Sequence, residues 1–283
     1  AEHIKKKLPS MYHQFITLAG VDITKEPMEV GPTCHYVMGG VRVDPETQMS
    51  TVPGLFAAGE VAAGLHGANR LGGNSLSDLL VFGKRAGAGA AAFAKSEHRP
   101  DEPPGNGAAL DEQIEEAASW ALAPFDRGPV LPASPLAGKD DSQGADGMQN
   151  AYAILKDLQS MMQANVGIVR REDEMETALA ELRRLRQRHE RVAVDGNREF
   201  NPGWHTALDL DSLLTVSEAV ARSALVRKES RGGHFRLDYP GKDEGQGKVN
   251  TIVRKGADGE MRVSQEPVPG MTEEQRAIIE EMG

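Results

Sequence analysis

The stretch HGANRLGGNSLSDLLVFGKRAGAGAAAF, residues 66–93, decides the fold. Its first ten residues hold three glycines, two asparagines, one arginine and one serine, and a long apolar run follows. Asn and Ser are favoured where helices begin, so the pattern predicts a helix over residues 75–95. The small residues at 86–91 would let that helix lie very close to a sheet.

The start of this helix is a candidate binding site. Unpaired backbone N–H groups and the helix dipole favour negative charge there, which suits a phosphate or the anionic N1–C2=O edge of a reduced flavin. Gly72 and Gly73 carry no side chains, so a flat ring could approach the backbone. A glycine-rich helix entry without a ligand explains the same residues, and both interpretations stay open.

Arg70 has no acidic residue within five positions. A guanidinium fork matches a carboxylate with two parallel hydrogen bonds, although a lone Arg is more often a surface charge. His35 and His66 are each individually better explained as structural histidines. Gly-Gly or Gly-Glu breaks in HYVMGG, AAGEVA and HGANRLGGNSL place such residues at predicted strand ends, where α/β sheets bind ligands.

Composition narrows the class of protein. The 283 residues suffice for two domains, and a net charge of −10 argues against nucleic-acid binding. Cys34 is the single cysteine, which excludes an internal disulfide framework and a cysteine-rich metal site, and we expect no metal. We predict that its side chain is small, apolar and buried. No apolar run approaches the eighteen residues of a membrane span.

The chain reads as an α/β segment followed by helices. A first helix is predicted over residues 2–18, with strands at 34–43 and 55–58, and a Pro- and Gly-rich linker near residue 100. Two β-like runs, KVNTIV and MRVSQEPV, lie in the tail. Amphipathic helices are predicted at residues 111–122, 148–165, 171–190 and 204–228, and the last three should form a small bundle.

Three stretches resemble the flavoprotein subunit of succinate dehydrogenase and fumarate reductase: PTCHYVMGGVRVD, VPGLFAAGEVA and HGANRLGGNSLSDLLVFG. NPGWHTALDL and RKESRGGHFRLDYP resemble it as well. The likeness covers the chain and corresponds to the C-terminal half of such a subunit. A strand followed by a Rossmann glycine fingerprint is absent from the sequence.

The resemblance implies an α/β plus α fold. Residues 1–30 would be the tail of a capping domain, and residues 31–97 the C-terminal part of a Rossmann-like FAD-binding domain. A linker at 98–110, a three-helix bundle domain at 111–230 and an irregular C-terminal extension at 231–283 would follow.

The resemblance also implies site residues. His35 and Arg70 would hold substrate carboxylates, Glu60 would bind ribityl or ribose hydroxyls of FAD, and Asn74, Ser75 and Leu76 would lie at the pyrimidine edge of the flavin. The family's proton-shuttle arginine and the histidine that carries FAD belong to an N-terminal half not in this sequence. The FAD site is therefore expected to be incomplete, with no catalytic residue here and no activity for this chain alone.

The implied reaction is succinate to fumarate, with electrons passing from FAD to quinone through an iron–sulfur subunit; its direction stays open. Iron–sulfur and membrane-anchor subunits would be partners, holding the protein peripherally at the cytoplasmic face of a bacterial inner membrane. An L-aspartate oxidase-type flavoprotein shares the loop and is an alternative, although the tail favours the succinate/fumarate branch. A non-catalytic helical interaction module is the other.

Three further features have open interpretations. His205, near a helix start, is predicted to cap or pack. RGGHFR, residues 231–236, is either a structural turn or an interface. The arginines at positions 183, 184, 186 and 188 are expected to line a solvated helix face.

Overall fold

The computed structural model describes residues 1–31, 33–97, 107–128 and 147–282. The chain divides into two compact units, Ala1–His35 and Tyr36–Gly283. Most of the predicted linker at 98–110 lies outside the described residues, as do residues 129–146. Helix α4, Gly107–Asp126, begins inside the predicted linker.

The first unit contains two short helices rather than the single helix predicted over residues 2–18. Helix α1 spans Glu2–Lys7, helix α2 spans Pro9–Gln14, and a π-helical turn, Phe15–Ala19, ends at Gly20. Leu8 separates the two helices with φ −129° and ψ 49°. Proline disfavours helical geometry at the residue before it, so Pro9 ends the first helix.

The strands predicted at 34–43 and 55–58 are absent from the described structure and are replaced by isolated bridges. Val41 pairs with Ala62, Val43 with Ser50, and Met49 with Phe56. A Gly-Gly break precedes Val41, and Asp44 opens a turn by accepting from the N–H of Thr47 at 2.8 Å. The extended run between break and turn is too short for a ladder.

Helix α3, Asn74–Glu97, lies against this bridged segment. Its small-residue face was predicted to approach a sheet, and it approaches the segment closely although no sheet forms there in the described residues. A side chain at Gly89 would overlap the carbonyl of Thr47 and lie 3.1 Å from the ring of Phe56. Arg85 donates to the carbonyl of Pro45 at 2.9 Å. The helix therefore packs on a turn rather than on an extended sheet.

Three helices pack around the main hydrophobic core, as their apolar spacing predicts. Helix α5 spans Ala151–Asn165, helix α6 Glu172–His189 and helix α7 Pro202–Val226. Fully buried side chains from these helices share one cluster: Ile154, Met175, Ala178, Leu210 and Ala221. Helix α4 contacts this bundle through a hydrogen bond to helix α7: Nε1 of Trp204 on helix α7 donates to the carbonyl of Ala121 on helix α4 at 2.7 Å.

The C-terminal region is more regular than the irregular extension predicted. Strands β1, Val169–Arg170, and β2, Phe235–Arg236, form a short parallel pair. The two β-like runs form the antiparallel strands β3, Val249–Lys255, and β4, Met261–Pro267, and helix α8, Glu273–Met282, follows. Strands β3 and β4 pair over seven residues, from Val249 opposite Pro267 to Lys255 opposite Met261. Within the described ranges, no helix combines the length and apolarity needed to cross a membrane.

Candidate functional site

The arginine loop, residues 66–73, begins at a histidine that is buried between two partners. The His66 side chain is 5% exposed, and its Nε2 lies 3.3 Å from Oδ2 of Asp78 on helix α3. The same nitrogen lies 3.0 Å from the hydroxyl oxygen of Tyr36. His66 therefore ties the start of the loop to both helix α3 and the preceding segment, which agrees with the structural role expected for it.

Arg70 lies at the middle of the loop, half-buried, with its guanidinium carbon 4.5 Å from the centroid of the Tyr36 ring. Its Nη1 donates to the carbonyl of Leu71 at 3.3 Å. A guanidinium at this distance from a ring face is attracted by the ring's quadrupole. The arginine is thus held by a specific neighbour rather than extended into solvent as an ordinary surface charge.

Tyr36 is electrostatically coupled to this cluster. Burial raises the pKa of its phenol, and the negative charges of Asp78 and Glu60 raise it further, while the positive charge of Arg70 acts in the opposite direction. The neutral phenol is therefore strongly favoured at physiological pH. Its ring and that of His66 meet edge to face, with centroids 5.4 Å apart.

A second contact holds the loop from the C-terminal region. The N–H of Gly233 donates to the carbonyl of Ala68 at 2.9 Å. A side chain at Gly233 would lie 3.1 Å from Cε of Met38, so the glycine also sits against the segment that carries Tyr36. RGGHFR is therefore a turn that packs on the arginine loop.

Glu60 is exposed and lies in a short 3₁₀ turn, Gly59–Val61. One of its carboxylate oxygens, Oε1, accepts from the backbone N–H of Val37 at 3.0 Å. This contact fixes the residue next to Tyr36. The carboxylate retains acceptor positions on its second oxygen, which is the chemistry that binding a sugar hydroxyl requires.

Helix α3 begins at Asn74, so Asn74, Ser75 and Leu76 form its first turn. The N–H of Asn74 donates to Leu71, and that of Leu76 donates to Gly73 at 3.2 Å. Side chains at Gly72 or Gly73 would meet nothing within 4 Å, and Leu76 is 67% exposed. An open backbone beside an exposed apolar side chain suits the approach of a flat ring.

His35 and Cys34 belong to the first unit, whereas Glu60, Arg70 and the start of helix α3 belong to the second. His35 and Cys34 are both exposed. The prediction that Cys34 is buried is wrong, because this stretch forms no strand whose alternate residues would face a core. His205 packs rather than caps: its ring lies beside that of Trp204, with centroids 5.8 Å apart, while Asn201 caps the helix by accepting from the N–H of Trp204 at 3.1 Å.

Beyond the loop, a buried ionic cluster joins the end of the helical bundle to the RGGHFR turn. Glu229 is fully buried and accepts from Nε of Arg227 at 2.9 Å and from Nε of Arg231 at 3.0 Å. Burial would raise its pKa, but hydrogen bonds from Arg231, the N–H of Asp243 and Arg227 lower the pKa to about 2. The carboxylate is therefore ionised and fully partnered.

Arg236 and His234 complete this cluster. Arg236, also fully buried, makes two hydrogen bonds of 2.7 and 2.8 Å to Asp238, whose pKa these bonds lower to about 2. Arg170 donates to Nδ1 of His234 at 2.9 Å, so that nitrogen accepts, and Nε2 donates to the carbonyl of Arg227 at 3.1 Å. Burial lowers the pKa of His234, in keeping with a neutral ring.

The arginines of helix α6 were expected to line a face exposed to solvent, but two of them instead form ion pairs with neighbouring helices. Arg186 reaches Glu218 on helix α7 at 3.3 Å, and Arg188 reaches Asp157 on helix α5 at 2.6 Å. Arg184 pairs within its own helix with Glu181 at 3.3 Å. Two of these arginines therefore join the helices of the bundle to one another.

Sequence reasoning did not find Tyr36, Asp78 or the Ala68–Gly233 contact. Tyr36 follows His35 directly in HYVMGG, and Asp78 lies four residues after Asn74, but neither position carries a recognisable spacing with Arg70. Their contacts depend on the path of the loop. An aromatic residue in a glycine-rich site segment is the signal that could have drawn attention to Tyr36.

Comparison with protein families gives two matches. A family described as the FAD binding domain matches residues 1–76, and one described as the fumarate reductase flavoprotein C-terminus matches residues 155–277. The matched regions together include the arginine loop, most of the helical bundle and the C-terminal hairpin. They define the class as flavoproteins that bind FAD.

Individual relatives agree. The chain is 33% identical over 95% of its length to the fumarate reductase flavoprotein subunit of Mycobacterium tuberculosis. Against the Mycobacterium smegmatis Sdh1 complex it has 50% identity and a TM-score of 0.75 over 94% of the chain. Against E. coli quinol fumarate reductase it has 33% identity and a TM-score of 0.79 over 95%. The chain belongs to the family of succinate dehydrogenase and fumarate reductase flavoprotein subunits.

The chain spans about two fifths of the proteins it matches. It covers 43% of the Mycobacterium tuberculosis protein, 41% of the Mycobacterium smegmatis chain and 43% of the E. coli chain. Family membership therefore rests on this shared region.

Proposed function

We propose that this chain forms the arginine loop and the flavin-facing helix start of a flavin-dependent oxidoreductase that interconverts succinate and fumarate. The observation that carries the proposal is the placement of Arg70, half-buried over the ring of Tyr36 in a loop anchored at His66 and Ala68. The names of the relatives include both succinate dehydrogenases and fumarate reductases, so the proposal concerns the couple and not its direction.

Arg70 binds a carboxylate of the substrate in this proposal. Its guanidinium fork makes two parallel, charge-assisted hydrogen bonds to a carboxylate, which orient a small dianion as well as attract it. His35 is proposed as a second residue that contacts substrate carboxylate, on the strength of the HYVMGG pattern alone.

The residues around the start of helix α3 fit FAD. Gly72 and Gly73 leave the backbone open, Leu76 offers an exposed apolar surface, and Ser75 lies in the first turn, where the helix dipole favours negative charge. Glu60 supplies a carboxylate oxygen for sugar hydroxyls. When bound, FAD would supply the two-electron redox chemistry of the reaction.

The domain layout and partners are part of the proposal. Residues 31–97 contribute to an FAD-binding domain, residues 111–230 form a helical domain, and the segment from 231 packs back on the arginine loop. One solved relative is named as a quinol-fumarate reductase with menaquinol molecules and another as the Mycobacterium smegmatis Sdh1 complex. These names support an iron–sulfur partner, membrane-anchor subunits and a peripheral position at the membrane for this chain.

The test is replacement of Arg70 in the complete, flavin-loaded subunit that contains this chain. Arg70→Ala should weaken succinate and fumarate binding by at least about thirtyfold, since it removes one member of a desolvated charge pair. Arg70→Lys keeps the positive charge but lacks the guanidinium fork, so its affinity for the two dicarboxylates should lie between those of the unmodified protein and Arg70→Ala. Calorimetry gives the affinities, and succinate oxidation with a soluble dye acceptor gives turnover.

Arg85→Ala is the matched control. Arg85 is another half-exposed arginine near an aromatic ring, 5.7 Å from the Phe82 centroid, but it binds Pro45 and Glu46 away from the loop. It should leave dicarboxylate affinity unchanged. An Arg70→Ala protein that binds and oxidises succinate as the unmodified protein does would overturn the proposal.

A further inference from the structure

Tyr36 lies between the loop arginine and a buried histidine–aspartate pair. On one side, the Arg70 guanidinium carbon is 4.5 Å from the ring centroid. On the other, the phenol oxygen is 3.0 Å from Nε2 of His66, which lies 3.3 Å from Oδ2 of Asp78. Four side chains from three segments thus form one continuous chain of contacts.

The pair behind Tyr36 is suited to fixing its ring. His66 and Asp78 are both 5% exposed at the side chain, so neither is free to reorient in solvent. A carboxylate oxygen only accepts, so a hydrogen on Nε2 of His66 satisfies Asp78, and the phenol oxygen lies within reach of the same hydrogen. The backbone next to the ring is held by the bond from Val37 to Glu60.

A fixed ring restricts the arginine in turn. Arginine has many rotamers, and immobilising such a side chain on binding costs affinity. A ring face at this distance attracts the guanidinium electrostatically while leaving N–H groups at its edge for hydrogen bonds. The arginine is then ordered before a carboxylate arrives.

We propose that Tyr36 is a positioning residue: held by His66 and Asp78, its ring face keeps the Arg70 guanidinium in the orientation that receives a substrate carboxylate. This rests on the proposed function, in which Arg70 binds the dicarboxylate. Tyr36 acts through Arg70 and makes no contact with substrate in this scheme.

Binding and turnover are tested in the complete, flavin-loaded subunit that contains this chain, with succinate and with fumarate. Tyr36→Leu removes the ring face and should raise the dissociation constant and KM about tenfold, the scale of one partly desolvated cation–π contact, with a smaller change in kcat. Tyr36→Phe keeps the face and should restore most of the affinity. Tyr152→Leu, at a half-exposed tyrosine of helix α5, is the control and should have no effect.

A second measurement needs no substrate. The chain has four tyrosines, so an alkaline absorbance titration of the unmodified protein minus that of Tyr36→Phe isolates the Tyr36 phenol. Arg70→Gln should raise its pKa, because a nearby positive charge is lost, and Asp78→Asn should lower it, because a negative charge is lost. A tyrosine whose ring does not contact the Arg70 guanidinium would respond much less to Arg70→Gln, since the effect of a charge falls with distance.

The outcomes separate the two proposals. An unresponsive titration in Arg70→Gln overturns the positioning role, whatever the binding results are. A normal affinity in Tyr36→Leu, with a large loss in Arg70→Ala, overturns the positioning role and leaves the proposed function intact. A normal affinity in Arg70→Ala overturns both. The role of Tyr36 is supported if dicarboxylate affinity falls in Tyr36→Leu and recovers in Tyr36→Phe, and if the pKa of the Tyr36 phenol rises in Arg70→Gln.

Discussion

The backbone N–H of Gly233 donates to the carbonyl of Ala68 at 2.9 Å, which joins the C-terminal region to the arginine loop. Ala68 lies two residues before Arg70, and Gly233 lies in a turn whose flanking residues, Arg231 and His234, belong to the buried ionic cluster. The buried ionic cluster therefore holds the turn that contains Gly233, and the hydrogen bond from Gly233 to Ala68 holds the loop that carries Arg70.

Gly232 should tolerate no side chain. Its φ is +60°, and a Cβ there would lie 2.8 Å from Cβ of Ala68 and overlap the Ala68 carbonyl. Gly232→Ala should lower the free energy of unfolding by about 2 kcal/mol from backbone strain and displacement of the loop. Urea unfolding measures the change. Gly241→Ala is the control, because its Cβ would meet nothing within 4 Å, and equal effects of the two variants would contradict this account.

Leu210 and Leu213 of helix α7 should differ sharply in their contribution to stability. Leu210 is fully buried in the shared core, whereas Leu213 is 40% exposed. Leu210→Ala should lower the free energy of unfolding by about 2–5 kcal/mol through lost burial and a cavity, and Leu213→Ala by about 1 kcal/mol or less. Urea denaturation compares them, and a similar loss at both positions would show that the helix faces are assigned wrongly.

The leucine pair also shows how far the sequence determines the bundle. Apolar spacing predicted helices α5, α6 and α7 to within a few residues, because burial of a stripe is encoded locally. Leu213 follows Leu210 by three positions, a spacing that places both on one side of helix α7. The neighbouring helices nevertheless bury Leu210 and leave Leu213 40% exposed. Which apolar residues of a helix become buried depends on how the neighbouring helices pack against it, and this is not encoded in the spacing of its own residues.

The site was less predictable than the bundle. The loop that carries Arg70 was recognised from its own residues. Two of its contacts were not: Tyr36 lies 34 positions before Arg70 in the sequence, and Asp78 lies 8 positions after it. Such contacts follow from the chain path and not from spacing. The strands predicted near Val41 failed for a similar reason, since β structure requires a partner that the local sequence does not supply.

Stability should fall as the pH drops below the ordinary pKa of histidine, and His234 should cause part of that fall. Burial holds the pKa of His234 below its ordinary value of 6.5, so the unfolded chain takes up the proton first. The contribution is complete above pH 6.5 and is lost progressively below it. Urea midpoints at pH values above and below 6.5 measure the loss.

His234→Gln offers the comparison. A glutamine can accept from Arg170 and donate to the carbonyl of Arg227, as the neutral ring does. It does not titrate, so the pH dependence of the variant should be shallower across this window. An unchanged slope would mean that His234 is not the group responsible.

Glu229 should contribute to a separate loss of stability at lower pH. Hydrogen bonds from Arg231, Asp243 and Arg227 outweigh burial and hold its pKa at about 2, below the ordinary 4.5. Its contribution is therefore complete above pH 4.5 and is lost as the pH falls toward 2. Glu229→Gln should lower the free energy of unfolding by about 3–5 kcal/mol at neutral pH, because two arginines lose their carboxylate.

The same substitution should cost much less near pH 3, where the unmodified protein has begun to lose this contribution. The gap between the two proteins should thus narrow with acidification, which urea unfolding at a series of pH values measures. Glu244→Gln is the control: Glu244 is exposed and close in sequence, and its replacement should change stability by less than about 0.5 kcal/mol at every pH. A constant gap between the unmodified protein and Glu229→Gln would show that the buried carboxylate does not govern acid stability.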